Sequence, residues 1–268
     1  QCSTLWKKEM MNKYFVLSFI VLFATGLVGQ DLSPKEIVEY VISQPKPETS
    51  IVEIRLEVTR KKKNRVKTKV REFTRYEKLY KSGKFTSKTL ARFKKPAVVK
   101  GTSLLSWVYK NGKTDQWFAL PKIKAAKKIK AKDRSKSFLN TDFIYEDLEN
   151  RGIVTDSLVN LGSEFIDGAK CMVIMAWPKN ESAYFARKIW VNTQIWRIIK
   201  VEYYKSESDK EKTLLITDFI TKDRFTIAGK MTMVRENGNQ TVMELLSYKP
   251  NIGLKDEIFS KSYLTKKN

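Results

Sequence analysis

Apolar and polar residues alternate along much of the chain after residue 47. Residues 52–58 place Val, Ile, Leu and Val on one side and charged residues on the other, the pattern of a half-buried antiparallel strand. Residues 66–76 alternate in the same way, and the charged residues 61–64 between the two segments predict a turn. The alternation therefore predicts two antiparallel strands near the start of the fold.

A second pair of segments predicts the clearest hairpin. Residues 104–109 and 116–120 are rich in apolar and aromatic side chains and flank Asn111-Gly112, a dipeptide that accepts the positive φ angles of a tight hairpin turn. Similar patterns predict further strands at 88–93, 170–176, 182–191, 195–204, 212–217, 224–235 and 240–248. The chain is thus expected to form about ten strands.

Helices are expected to be few and short. Ser33, Pro34 and Glu36 form a capping-box start, and the helix should end near Gln44 because prolines follow. Thr141 is a candidate cap for a helix at 141–148, and 254–259 predicts a final helical turn. A sheet of this size must curl. We expect a mainly β (α+β) fold, an incomplete, strongly curved antiparallel β-barrel with short helices plugging its concave side.

The first thirty residues are not expected to belong to this domain. Residues 11–13, Met-Asn-Lys, start a short basic region, 14–28 are almost wholly apolar, and small residues stand at Ala24, Gly26 and Gly29, the layout of a secretory signal peptide. An uncleaved anchor is the alternative, although a membrane span needs about 20 apolar residues. Residues 1–10 are interpreted as an over-extended start. One domain is predicted over 31–268.

Charge and cysteine content narrow the functional classes. The net charge is +23, and residues 51–136 hold 28 Lys and Arg against 6 Asp and Glu. Such a face attracts phosphates, anionic head groups or an acidic partner, or is simply solvated. The irregular basic stretch 122–136 predicts a mobile loop. Beyond the signal only Cys171 remains, in an apolar run, which predicts a buried thiol and no internal disulfide.

The sequence contains few signals for catalysis or for nucleic-acid binding. The chain has no histidine, which excludes the usual triads, and no phosphate-loop, dinucleotide or zinc spacing is present. Asp142, Glu146 and Asp147 could include a glycosidase-type pair of carboxylates, but acidic residues also favour a helix N-terminus, and we prefer that interpretation.

Aromatic residues among the basic residues could stack on nucleic acid, but we prefer the interpretation that they lie on strand faces packed against a core. We predict a non-enzyme without cofactor, metal or nucleic acid.

The segments 92–96 and 107–112 carry a resemblance to a known family. A basic residue before Pro96, then an apolar strand and an Asn-Gly turn, followed by 115–121 and 138–148, resemble the outer-membrane lipoprotein-sorting proteins (LolA-like). The resemblance covers residues 90–150 well, and the order of strands and helices agrees over the rest. It implies a curved, incomplete barrel closed by helices, which shields the acyl chains of a lipid or lipoprotein during transit across the periplasm toward the outer membrane.

The resemblance also implies partners and a site. The partners would be a lipid or lipoprotein cargo, an inner-membrane transporter, an outer-membrane acceptor and, transiently, an anionic membrane surface, with the chain monomeric. Lys95 takes the place of an arginine that helps hold the helical lid, and lysine lacks the planar fork of arginine. The aromatic residues expected to line the cavity are Trp107, Tyr109, Trp117, Phe143 and Tyr145.

Two other functions stay open at this point. A non-carrier binding module that regulates or assists a cell-envelope export complex would have a filled core and a protein ligand. An envelope hydrolase would need a polar constellation that the sequence does not contain.

Overall fold

A computed structural model describes residues 32–63, 65–121, 126–149, 153 and 156–266. The predicted start and signal segment, residues 1–30, lies outside these residues, as do positions 122–125 of the predicted loop. Within the described ranges, no helix is long and apolar enough to cross a membrane.

Of the fifteen strands among the described residues, thirteen form one antiparallel sheet. The strands are β1 Thr49–Lys62, β2 Arg65–Leu79, β3 Phe85–Lys95, β4 Ser103–Tyr109, β5 Thr114–Ala119, β6 Lys127–Lys128, β7 Ser157–Ile166, β8 Ala169–Trp177, β9 Ala186–Asn192, β10 Arg197–Tyr204, β11 Lys210–Thr217, β12 Ile220–Lys222, β13 Phe225–Ile227, β14 Lys230–Arg235 and β15 Gln240–Pro250. Strands β12 and β13 pair separately as a small hairpin.

The sheet joins two runs of neighbouring strands. Its order is β6-β5-β4-β3-β2-β1-β15-β14-β11-β10-β9-β8-β7, so that β1 pairs with β2 on one side and with β15 on the other. In this register Leu56 lies opposite both Arg71 and Met243. The sheet is strongly curved but not closed, which confirms the predicted fold class.

Helices are short, as expected. Helix α1 covers Pro34–Ser43, and Ser33 and Glu36 form the predicted capping box, whose hydrogen bonds lower the pKa of the Glu36 carboxyl. Helix α2 covers Lys261–Leu264. Three 3-10 helices cover Ala131–Asp133, Glu146–Leu148 and Asp256–Phe259. The described part of the predicted loop 122–136 therefore contains strand β6 and one 3-10 helix.

Two sequence predictions are corrected by the structure. The helix at 141–148 is reduced to the 3-10 turn Glu146–Leu148, whose cap is Tyr145. The Thr141 hydroxyl instead donates to the Phe138 carbonyl oxygen at 2.7 Å and closes a turn. The single strand predicted at 224–235 is interrupted at Gly229, where the chain passes so close to Asp218 that an added Cβ would lie 1.8 Å from its carbonyl oxygen.

Strand β7 was not predicted at all. It pairs with β8, but its register shifts between Asn160 and Ser163, and Gly162 between them has a φ of +90°. Such a bulge breaks the two-residue alternation, which removes the signal on which a strand prediction depends.

Two of the buried apolar clusters lie on opposite faces of the sheet. Leu104 belongs to the larger cluster and Leu105 to the smaller one, and successive strand residues point to opposite faces. The larger cluster draws side chains from strands as far apart as β4 and β8, so it lies on the concave side. The smaller cluster covers β3, β4 and β5 on the convex side and packs against the C-terminal residues 254–264.

Candidate functional site

The concave side of the sheet is filled by residues 137–149, here called the plug. Phe138, Phe143 and Ile144 of the plug are buried in the concave cluster. The Phe138 ring lies 6.0 Å from that of Phe93 and 5.6 Å from that of Tyr145, between ring centroids. The plug therefore occupies with its own aromatic side chains the space that the curved sheet encloses.

A buried carboxylate fastens the plug to three strands. Asp142 is 1% exposed. Its Oδ2 accepts from Arg60 Nη1 at 2.8 Å and from Thr241 Oγ1 at 2.7 Å, and its Oδ1 accepts from Arg235 Nε at 3.0 Å. These donors come from β1, β15 and β14, so a single plug residue connects the middle of the sheet.

A second buried ion pair lies further along the plug. Lys212 of β11 is fully buried, and its Nζ lies 2.6 Å from Asp147 Oδ2 and 2.9 Å from the Asp142 carbonyl oxygen. The Tyr184 hydroxyl donates to Asp147 Oδ1 at 2.6 Å. Burial, followed by the charge of Asp147, raises the pKa of Tyr184 far above its ordinary value, so this hydroxyl keeps its proton and remains a donor.

The acidic residues of the plug each bind different partners. Glu146 accepts from the Ser182 hydroxyl and from the backbone nitrogen of Ala183. Glu146 and Asp147 lie in the first turn of the 3-10 helix, but Asp142 precedes it. The preferred helix-terminus interpretation is thus wrong for Asp142, because ion pairs with distant strands determine its position. Each carboxylate serves to hold the plug.

The five predicted cavity residues are divided between two faces. Phe143 and Tyr145 lie in or against the concave cluster. Trp107 and Trp117 lie in the convex cluster. Their rings are 4.6 Å apart, and Trp107 Nε1 donates to the Phe259 carbonyl oxygen at 2.8 Å. The C-terminal segment therefore covers these tryptophans.

Tyr109 also lies away from the plug. Its ring lies 5.0 Å from that of Phe85, and its hydroxyl donates to Asp115 at 3.0 Å. The sequence-based list missed Leu104 and Phe118, which face the concave side. Because β4 and β5 carry large apolar side chains on both faces, their alternation contained no signal that could have separated the two sets.

The predicted latch residue Lys95 is exposed. Its Nζ lies 2.9 Å from Glu72 Oε2 of the adjacent strand β2, so its ion pair is with the sheet. A different residue of the same motif holds a helix: Arg92 Nη2 donates to the Tyr263 carbonyl oxygen at 2.7 Å, and its guanidinium lies 5.1 Å from the Tyr263 ring. That contact fixes helix α2 on the convex side.

A basic cavity opens where the plug meets the β1–β2 hairpin. Its volume is about 150 Å³, and it is lined by Val58, Arg60, Lys67, Lys69, Arg71 and Asn140. Arg71 is 8% exposed, and its buried Nη1 has no hydrogen-bond partner. Burial, reinforced by the charge of Arg60, lowers the pKa of Arg71. We call this cavity the Arg71 pocket.

Two cavities beside the plug are small for an acyl chain, and the Arg71 pocket is one of them. A second one, of about 120 Å³, is lined by residues that include Arg134, Glu146 and Ser182. Ligand pockets usually have volumes of roughly 300 Å³ or more. Among the described residues, no group of three or more His, Cys, Asp or Glu side chains is placed to hold a metal ion.

Comparisons with known proteins identify the fold. A protein-family model described as an uncharacterized protein matches residues 85–266. No curated protein matches the chain. A domain from Vibrio parahaemolyticus named for outer membrane lipoprotein sorting is 24% identical, with a TM-score of 0.80 over 87% of this chain and 98% of that one. A DUF1329 family protein from Desulfovibrio piger is also 24% identical, and its TM-score is 0.79 over 87% of this chain and 100% of that one.

A third solved structure has the same fold. The LolA superfamily protein NE2245 from Nitrosomonas europaea is 16% identical and has a TM-score of 0.67, over 87% of this chain and 99% of that one. At these identities the similarity shows the fold. It confirms the LolA-like fold that the residues around Pro96 and Asn111-Gly112 implied.

Proposed function

The chain belongs to the protein family whose model matches residues 85–266 and has the LolA-like fold, and from this premise we propose that it is a periplasmic carrier that shields the acyl chains of a lipid or lipoprotein. In this proposal the acyl chains enter the concave side of the sheet in place of the plug. The chain binds its cargo, moves it toward the outer membrane and releases it unchanged.

The observation that carries the proposal is an apolar plug attached by buried ion pairs. Burying each of Phe138, Phe143 and Ile144 contributes about 1.5–3 kcal/mol. An acyl chain of about fifteen methylenes gains about 12 kcal/mol at 0.8 kcal/mol each. An acyl chain can therefore replace the plug side chains on the concave face with a free energy at least as favourable.

The polar anchors of the plug suit such an exchange. Asp142 and Asp147 are held by Arg60, Arg235 and Lys212. Buried ion pairs stabilise a fold little on balance, because their attraction is largely offset by the loss of hydration. When the plug leaves as a unit, its carboxylates regain water, and Arg60 and Arg235, which are already 32% and 25% exposed, regain more of it. The ion pairs thus hold the plug in one closed arrangement and still allow it to open.

The surroundings of the carrier follow from the same proposal. The basic excess of residues 51–136 would bring the protein transiently to anionic membrane surfaces. An inner-membrane transporter would supply the cargo and an outer-membrane acceptor would receive it, with the carrier monomeric between them.

Native mass spectrometry tests the proposal. The protein, purified without detergent from its own envelope fraction, is expected to carry a lipid or acylated peptide that organic extraction releases. The purified protein should also take up a fluorescent fatty acid, and Asp142→Asn, which weakens the plug anchor, should take it up faster. Asp209→Asn changes an exposed carboxyl and is the matched control. A ligand-free mass together with no uptake by any variant would overturn the carrier proposal.

One observation favours a second candidate. The concave side is filled and the described cavities are of about 120 and 150 Å³, as expected for a non-carrier binding module that assists a cell-envelope export complex. In that case the plug would stay in place, and Asp142→Asn would lower stability without allowing uptake.

A further inference from the structure

Arg71 is the least satisfied cation that the structure describes inside the fold. Its side chain is more than nine-tenths buried, and Nη1 has no hydrogen-bond partner. Lys212, the other lysine or arginine buried to this degree among the described residues, has both a carboxylate and a carbonyl oxygen within 3 Å. A guanidinium removed from water without a partner is costly, and a ligand that supplied the missing acceptor would offset this cost.

The walls of the Arg71 pocket indicate the charge of that ligand. Its six lining residues include four cations and no acid. Asp142 is nearby, but its two oxygens already accept from Arg60, Thr241 and Arg235. The pocket therefore offers positive charge to an anion with several acceptor oxygens, and arginine favours the planar, bidentate contacts that phosphate and carboxylate provide.

The register of β1 and β2 connects this pocket to the apolar interior. Residues directly opposite each other in an antiparallel pair share a face. Leu56 is opposite Arg71, and Val58 is opposite Lys69. Leu56 and Val58 are both buried in the concave cluster. On a single face, the strand pair thus changes from apolar to basic within two residues.

We propose that the Arg71 pocket binds the phosphoryl group of an anionic amphiphile whose acyl chains occupy the concave side. The assignment of the acyl chains rests on the proposed carrier function, whereas the phosphoryl site rests on the pocket itself. Arg71 and Lys69 contact the anion, and Arg60 forms the wall toward the plug. Because Arg60 also binds Asp142 and the Asn140 carbonyl oxygen, an anion in the pocket lies directly beside the plug anchor.

Calorimetry of the purified full chain with four probes separates the two parts of the proposal. The probes are inorganic phosphate, dihexanoyl phosphatidic acid, dihexanoylglycerol with the same acyl chains but no phosphate, and a polyglutamate peptide. Phosphatidic acid is expected to bind at least about tenfold more tightly than dihexanoylglycerol. Arg71→Gln should remove this preference, and Arg71→Lys should keep part of it because the charge remains without the fork.

The control and a second readout guard against a merely structural role. Lys61→Gln makes the same charge change on the opposite face of the hairpin, where Lys61 is opposite Val66, and should retain the preference. Removing an unpaired buried cation should leave the Tm of Arg71→Gln equal to or above that of the wild type. A clear fall in Tm would mean that the guanidinium is part of the structural core and would overturn the proposal.

The binding outcomes are distinguishable. Equal affinity for the two amphiphiles would overturn the phosphoryl site and leave the carrier function standing. Phosphate binding that depends on Arg71, with no amphiphile bound, would support the site with free phosphate as its source and count against the carrier. Binding of polyglutamate but not of phosphate would overturn the site in favour of an acidic peptide. No binding of any probe would overturn the phosphoryl site, and the absence of amphiphile binding would also count against the carrier.

Discussion

Replacement of Asp142 with alanine is expected to release the plug from the sheet. The carboxylate is almost fully buried and accepts hydrogen bonds from Arg60, Thr241 and Arg235 at 2.7–3.0 Å. Alanine removes all three acceptor contacts at once. The guanidinium groups of Arg60 and Arg235 and the hydroxyl of Thr241 then face a methyl group, which accepts no hydrogen bond.

The magnitude follows from the exposure of those donors. Removing one partner of a buried ion pair costs about 3–5 kcal/mol. The side chains of Arg60 and Arg235 are 32% and 25% exposed, so each regains some hydration, and the lower end of that range applies. We expect a loss of about 3 kcal/mol in the free energy of unfolding. At about 2–4 °C for each kcal/mol in a domain of this size, Tm should fall by about 6–12 °C.

Equilibrium urea unfolding followed by circular dichroism measures this loss. Asp209→Asn, at an exposed position, should change the free energy by less than about 0.5 kcal/mol. A double-mutant cycle between Asp142→Ala and Arg235→Met should give a coupling energy of about 0.5–3 kcal/mol, because the two residues share a direct contact.

A loss below about 1 kcal/mol, with no coupling to Arg235, would refute the reasoning. The buried network would then not anchor the plug, and the apolar side chains of residues 137–149 would hold it alone. A normal loss of stability without faster fatty-acid uptake would refute only the link between the anchor and opening.

Two further predictions concern Glu211 and Gly229. Burial raises the pKa of Glu211, but the hydrogen bond from Arg235 and the charge of Lys212 outweigh it and lower the pKa below its ordinary value. Its stabilising contribution is therefore present above the unfolded pKa of about 4.3 and lost as the pH falls through the folded pKa. Glu211→Gln should cost about 1 kcal/mol at pH 7 and almost nothing once the pH lies below the folded-state pKa of Glu211, measured by urea unfolding across pH. A difference in unfolding free energy between Glu211→Gln and the unsubstituted protein that does not change with pH would contradict this. Gly229→Ala should cost about 1–3 kcal/mol, because its Cβ would meet the Asp218 carbonyl oxygen. An unchanged free energy of unfolding would show that the backbone at Gly229 moves to make room for the methyl group at little cost.

Local sequence signals were sufficient to predict several strands, one turn and the start of the first helix. The alternation at 52–58 lies within β1, and Asn111-Gly112 lies in the turn between β4 and β5. Ser33 and Glu36 cap α1 as expected. In each case the determining interactions join residues a few positions apart, so a short window of sequence contains them.

The placement of aromatic residues could not be read from such windows. Strand β4 has Leu104 on the concave side and Leu105 and Trp107 on the convex side, and both rows are apolar. Only the C-terminal segment, which meets Trp107 through Phe259, determines which row is covered from outside. That contact joins residues 152 positions apart, and periodicity carries no information about it.

The contacts of the plug could not be predicted from short windows of sequence either. Asp142 meets Arg60 and Arg235 across 82 and 93 positions of the chain, so its acidic neighbours Glu146 and Asp147 gave the more visible local pattern. A helix terminus explains acidic residues locally, whereas here the partners lie far along the chain. The sheet supplies those of Asp142, and Ser182 and Ala183, which lie between two strands, supply those of Glu146.

The basic character of residues 51–136 left a binding face and a solvated surface equally open, and Arg71 is the residue on which our proposal of a binding face rests. An exposed lysine such as Lys67 keeps its hydration and requires no partner. Arg71 has lost most of its hydration, lies near another cation, and has a buried donor without an acceptor. A residue with only a structural role would be more stable there as methionine or leucine. The cost of keeping a guanidinium at the end of an apolar strand face is therefore the strongest physical reason to expect a negatively charged ligand at that point.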